Sequence, residues 1–316
     1  MPEIPTTCAV YVGGALLPDG CHGQNRKAPV VLDGLTLRWG RANSIDQPDP
    51  ATAQIDILDR GFGPTRVDQI VALGSTLVIE ASIDGAPPVT VFAGRITDLD
   101  IQWDDAGGGI CQVIAADLLA DLANRFVGAE PWPQETLLLR AKRIVSAIGG
   151  TAVNVTVDAR PAALPVSRMD VDRQAAATLL RDLATSGTAA LWVVVVAGVP
   201  QLRIEDPSAR PSMRALTQAI PSLLWVITSS GSSTAPLDAC AILRDPIKWT
   251  RAIADLITRV TVRWLDPSTS PDPTERTVTL VDSASETLYG ARGLSVGTIL
   301  ASSAAADQAA AVLVAG

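Results

Sequence analysis

The side chains that could carry chemistry are few, and their spacing excludes most of it. His22 is the only histidine among 316 residues, so H-E-x-x-H zinc sites and every multi-histidine metal cluster are excluded. Gly293-Leu294-Ser295-Val296-Gly297 matches G-x-S-x-G, but that elbow needs a histidine later in the chain and a strand-to-helix setting. Neither is present, and Ser295 reads as part of an ordinary turn. Cys8, Cys21 and His22 supply ligand types that zinc prefers, yet their spacing fits no zinc pattern and Cys111 or a distant carboxylate would have to be the fourth ligand. No cofactor and no metal is therefore expected. Asp98, Asp100, Asp104 and Asp105 cluster as a glycosidase pair or a calcium loop might require. Asp98 and Asp100, however, share one face of a strand, and the alternating oxygen ligands with a closing Glu are missing. That face reads as solvated.

Seven tryptophans beside three Phe and two Tyr raise sugar stacking as a second chemistry. Trp39, Trp103 and Trp264 fall on the apolar phase of their strands and read as core, which leaves Trp132 as the candidate for an exposed contact. The 33 acidic against 25 basic residues give a formal charge of −8, the wrong sign for a protein that neutralises phosphates. No sequence-specific nucleic-acid binding is expected. The opening residues lack a basic segment followed by an apolar one, and the most apolar run, Ala189 to Val199, falls short of the roughly 20 residues of a membrane span. No membrane binding is expected either, and the four scattered cysteines suit free thiols.

The elements that would position these residues follow from periodicity. Alternation of period two marks strands at Leu35–Trp39, Ala53–Ile57, Leu77–Ile83 and Leu99–Trp103, with a phase slip at Phe92-Ala93-Gly94 where a bulge would curl the sheet. Asp117 to Phe126 reads as a short helix. The period then changes to 3.6, predicting helices at 137–148, stopped by Gly149, and at 171–186, stopped by Gly187. A hairpin over 192–205 follows, then a Ser-rich linker at 229–234. Strands resume with Val260, Val262 and Trp264, and an Ala-rich helix spans 302–314. The fold class is β-rich α+β: an arm (1–28), a first β-barrel-like domain (29–127), a mixed α+β domain (128–207), a connecting segment (208–236) and a second β-barrel-like domain with terminal helix (237–316). That helix is expected to pack Ala310, Leu313 and Val314 on the last unit. The unit itself is expected to lack a strand, supplied by a neighbouring subunit or by further chain.

Three segments carry a family resemblance. Val281 to Val296 contains S-x-x-x-Y-G leading through an Arg to a short strand, with Ser285, Tyr289, Gly290 and Arg292 at the matching positions. Leu37-Arg38-Trp39-Gly40-Arg41 with Asp46-Gln47-Pro48 resembles the opening barrel of actinobacteriophage minor tail proteins. Phe92, Gly94 and Asp98 fit the F-x-G-x-I/V-x-D strand of that barrel. The chain is thus similar to bacteriophage minor tail, or baseplate hub, proteins. The resemblance implies a non-enzymatic virion protein at the tail tip, assembled in the host cytoplasm. Its partners would be two further copies in a homotrimer, the distal tail ring protein, the tape-measure protein and other minor tail proteins. Six related β units could then dock on a six-fold tube, which the hub would cap and open for DNA passage. A tail-associated cell-wall hydrolase, a carbohydrate-binding protein and the distal tail ring protein are the alternatives.

Overall fold

A computed structural model describes residues 6–17, 30–31, 35–40, 47–60, 71–83, 88–103, 108–128, 130–148, 153–196, 199–206, 256–269 and 272–315. His22, Cys21, Asp104, Asp105, the linker at 229–234 and the start of the last unit near Leu237 lie outside them.

The first unit is one antiparallel sheet of eight strands: β1 (Thr6–Val12), β2 (Ala15–Leu17), β3 (Val30–Val31), β4 (Thr36–Gly40), β5 (Asp49–Arg60), β6 (Thr76–Ile83), β7 (Val89–Trp103) and β8 (Gly108–Ala116). Their order is β2-β1-β6-β7-β8-β5, and β3 and β4 share the far edge of β5. Alternation puts Ala53, Ile55, Ile57, Leu77 and Ile79 wholly inside, with Leu35, Leu37, Leu99 and Ile101 packed around them. Along β7 the expected phase slip is two bulges. Ile79 faces Phe92 and Glu80 faces Thr90, so Val91 is extra; Ile96 faces Ala115 and Asp98 faces Ile114, so Thr97 is extra. Each bulge returns an apolar residue to the inner face and bends the strand. The expected barrels are not found. Closure requires the outermost strands to pair, and among the described residues β2 pairs with neither β3 nor β4.

Asp117 ends the sheet and starts the middle unit. Its carboxylate accepts from Leu119 N (2.9 Å) as the N-cap of α1 (Leu118–Ala123) and from Ala51 N of β5 (2.9 Å). Short strands β9 (Phe126–Val127), β10 (Pro131–Trp132) and β11 (Glu135–Thr136) lead into α2 (Leu137–Ile148), the helix that the 3.6 period predicts. After β12 (Val155–Val157), α3 (Ala159–Ala162), β13 (Pro165–Val166), β14 (Met169–Asp170) and β15 (Gln174–Ala175) comes α4 (Ala176–Ser186). This second helix begins five residues later than the sequence predicts. Arg173 takes a positive φ, and Gln174–Ala175 pair with β9 instead of entering the helix. The hairpin β16 (Ala190–Val196) and β17 (Val199–Glu205) follows, with β12 parallel to β17, and one core joins α1, α2, α4 and this sheet.

The last unit is a three-stranded sheet in the order β19-β18-β20, made of β18 (Arg259–Asp266), β19 (Thr274–Val281) and β20 (Gly293–Gly297). Between β19 and β20 stands α5 (Ser283–Tyr289), and α6 (Ser303–Ala315) closes the described chain. As expected, α6 packs on the sheet: Ala305, Ala306, Ala309 and Ala310 are buried against Val260 and Val262, with Leu313 and Val314 alongside. Its alanines let helix and sheet approach closely. No helix among the described residues is long and apolar enough to cross a membrane.

Candidate functional site

The segment from Asp282 to Arg292 is built onto one buried residue, Thr258. Its hydroxyl donates to the Gly290 carbonyl (3.2 Å) and accepts from Arg292 N (2.8 Å), and its own N–H donates to the Arg292 carbonyl (3.0 Å). Asp282 N donates to the Thr258 carbonyl (2.8 Å), so both ends of α5 are fastened to the same point. Asp282 also caps the helix, accepting from Ala284 N and Ser285 N at 3.1 Å each; hydrogen bonds from the Ser285 side chain and backbone hold its carboxyl below the usual range. Gly290 ends it at φ +81°, a conformation that a side chain would strain. Arg259 reaches back to Glu286 (2.9 Å).

A firmly fastened helix normally buries a face, yet no residue of α5 is buried, and Leu288 and Tyr289 stand 74% and 49% exposed. Large apolar side chains held rigidly in solvent are the usual material of protein contacts. Leu288, Tyr289 and Gly290 thus form an exposed projection, flanked by half-buried Ser285 and Arg292. Sequence reasoning missed Thr258, because one threonine just before a strand carries no distinguishing signal.

The other singled-out residues stay apart from it. Phe92 is buried in the first core, and a Cβ on Gly94 would lie 2.3 Å from the Ala116 carbonyl, so close packing of β7 on β8 excludes any side chain there. Asp98 and Asp100 point outward from β7 and are exposed. The backbone of Trp39 lies in β4; its side chain, like that of Trp103, is outside the described residues. Ser295 lies mid-strand in β20 opposite Thr261, not in a turn as read from the sequence, because parallel pairing with β18 extends through it. Cys8 is exposed on β1 and Cys111 is buried on β8; no group of three metal-ligating side chains occurs among the described residues.

Trp132 is corrected outright. It is buried, and Arg140 lies over its ring at 5.4 Å from the centroid. Arg140 is itself almost wholly buried, bonded to Glu135 (2.6 Å), the Pro133 carbonyl (2.7 Å) and the Ser167 carbonyl (2.9 Å). Burial pushes the Glu135 carboxyl up, but hydrogen bonds and charge from Arg143 and Arg140 outweigh it and hold the group below its ordinary value. A second cluster joins Arg160 to Asp206 and Thr188. In both clusters the charged groups are matched to partners inside the fold, which makes them fastenings of the middle unit and leaves no free nucleophile or base.

No family model matches the sequence, and no curated protein does. Solved structures share the fold. A tail protein from Neisseria meningitidis MC58 superimposes over 96% of this chain and 74% of its own, with a TM-score of 0.55 and 16% identity. The 43 kDa tail protein of prophage MuSo2 from Shewanella oneidensis matches over 97% and 77%, with a TM-score of 0.51 and 15% identity.

Proposed function

We propose that this chain is a non-enzymatic structural protein of a phage tail tip, a hub that caps the tail tube, joins the distal tail ring to host-recognition parts and opens for DNA passage. The observation that carries the reading is the extent of the fold match: 96 and 97% of the chain superimposes on two tail proteins, so the likeness spans the eight-stranded sheet, the mixed unit and the last sheet together. The resemblance at Ser285, Tyr289, Gly290 and Arg292 supports it, since those residues lie together in the segment fastened to Thr258.

In this reading the first and last sheets are the two related β units of each subunit, and a homotrimer presents six such units to a six-fold tube. Its other partners are the distal tail ring protein, the tape-measure protein and neighbouring minor tail proteins. The deciding experiment is imaging of intact tail tips by electron microscopy with rotational symmetry left free. Three copies around the axis at the end of the tube are expected; six copies would exclude the hub and favour the ring protein. A wall-polysaccharide cleavage assay with Asp98→Ala and Asp100→Ala controls addresses the hydrolase alternative, and carboxylate-dependent turnover would overturn the structural reading.

A further inference from the structure

The two joints of the molecule are made differently. Between the middle and last units the main chain itself is continuous in hydrogen bonding: Ser167 N donates to the Ile299 carbonyl (2.8 Å) and Ala301 N to the Pro165 carbonyl (3.0 Å). Leu164 of the middle unit is buried in the core of the last. Between the first and middle units the backbone-to-backbone bonding among the described residues is at the junction itself, where Asp117 N donates to the Ala51 carbonyl (3.0 Å). The chain passes directly from β8 through Asp117 into α1, and β7 rests against the hairpin β16–β17.

Away from the Asp117 junction, whose carboxylate bridges Ala51 N and Leu119 N, what crosses the joint in hydrogen bonding is chiefly one side chain. The Gln47 amide donates from Nε2 to the Ala189 carbonyl (2.8 Å) and accepts at Oε1 from Leu191 N (3.0 Å). Those two groups lie at the start of β16, on the edge that no strand pairs among the described residues; its other edge pairs with β17. A carboxamide carries one donor and one acceptor in the same plane as a peptide group, so Gln47 pairs with β16 as a single strand residue would. The next residue adds a weaker tie: the Pro48 carbonyl accepts from Arg181 Nη2 at 3.3 Å, while Arg181 Nε is buried with no partner.

We infer that Gln47 is a latch that sets the angle of the first sheet on the rest of the molecule, with the Asp117 junction as the hinge. It is a positioning residue: releasing it frees the joint and leaves both units folded. The inference does not depend on the function proposed above.

The test uses the full chain with bioorthogonal spin labels at Leu16 on β2 and Lys142 on α2, both exposed. The wild type should give one narrow distance distribution at neutral pH and near pH 4.5. Gln47→Leu removes both hydrogen bonds, and should lose the narrow distribution at both. Gln47→Glu should lose it at neutral pH, where a carboxylate faces the Ala189 carbonyl, and regain it near pH 4.5, where the protonated acid can again donate and accept. Asp117, Arg181 and Asp49 are the other charged groups at the joint, and the wild type measured at both pH values accounts for them. Amide exchange should show β6–β8 and α2 equally protected in all three proteins. A wild-type distribution in Gln47→Leu, no pH response in Gln47→Glu, or lost protection inside either unit of Gln47→Leu would overturn the latch.

Discussion

Glu135 stands between two arginines of very different exposure, and that asymmetry fixes the consequence of removing each. Its side chain is 6% exposed, Arg140 is 1% and Arg143 is 42%. Arg143→Ala removes a largely solvated partner and should cost about 0–1 kcal/mol, as surface ion pairs do. Glu135→Gln leaves the Arg140 guanidinium buried without a counter-charge, which should cost about 3–5 kcal/mol. Arg140→Met should cost about as much as Glu135→Gln, because the Pro133 and Ser167 carbonyls lose their donor, at about 1–3 kcal/mol each, while Glu135 keeps Arg143. The double variant Glu135→Gln, Arg140→Met should cost less than the sum of its parts by at least about 1 kcal/mol. Urea titrations read through amide exchange of α2 report on this unit, since its core is separate from the other two. If Glu135→Gln lies within about 1 kcal/mol of Arg143→Ala, the charge pair does not hold the unit together and the reasoning fails.

Other outcomes follow from particular contacts. Asp117→Ala removes an N-cap and the acceptor for Ala51 N, and should destabilise by about 2–4 kcal/mol in thermal or urea unfolding; a loss under about 1 kcal/mol would refute its double role. The Glu135 carboxyl is held below its ordinary value, so its stabilisation is complete above the unfolded carboxylate pKa, near 4.3, and should fade as pH drops below it; an acid titration of Glu135→Gln should lack that component. Burial raises the Asp117 carboxyl, the opposite sign, so its ionisation subtracts from the stability its hydrogen bonds supply at neutral pH, and that penalty is relieved as pH falls through its folded value. Gly94→Val should separate β7 from β8 and lower the soluble yield or melting temperature of the whole first sheet, whereas Ser295→Ala, on an exposed strand face, should change neither.

Much of the architecture was legible because one-sided burial writes itself into sequence. Ile55 and Ile57 on β5, Ala141 and Ile144 on α2, and Ala310 on α6 were all placed correctly from period alone. Closure was not legible: alternation states that a strand has an inside face and says nothing of whether the two outermost strands meet. Trp132 was misplaced because flanking prolines mark a connection, and a connection is usually exposed; here it is covered by a charged residue, Arg140. The projection of α5 could be read as a motif but not as a geometry, since its fastening depends on Thr258, distant in sequence from Tyr289 and Gly290. Likewise, Gln47 belongs to the resemblance at Asp46-Gln47-Pro48, yet its contact with β16 could not be read from the sequence, because its partners Ala189 and Leu191 are distant along the chain.

The strand order of the first sheet also sets a timetable. The chain enters the sheet with β1, yet β1 pairs with β2 and then with β6, so that Thr6 lies opposite Ile83. Likewise β5 waits for β8, with Thr52 opposite Ala116. On a ribosome adding about 5–20 residues per second, β1 would emerge several seconds before β6. During that interval the alternating apolar residues Val10 and Val12 have only the short β2 to shelter against. Such long-range pairing is slow to form, and the exposed edge is open to strands of other nascent copies. Expression at lower temperature or with a holding chaperone should therefore raise the soluble yield of the chain, since β1 and β5 must wait for their partners, whereas β18 and β19 are neighbours in sequence and can pair as soon as both are made.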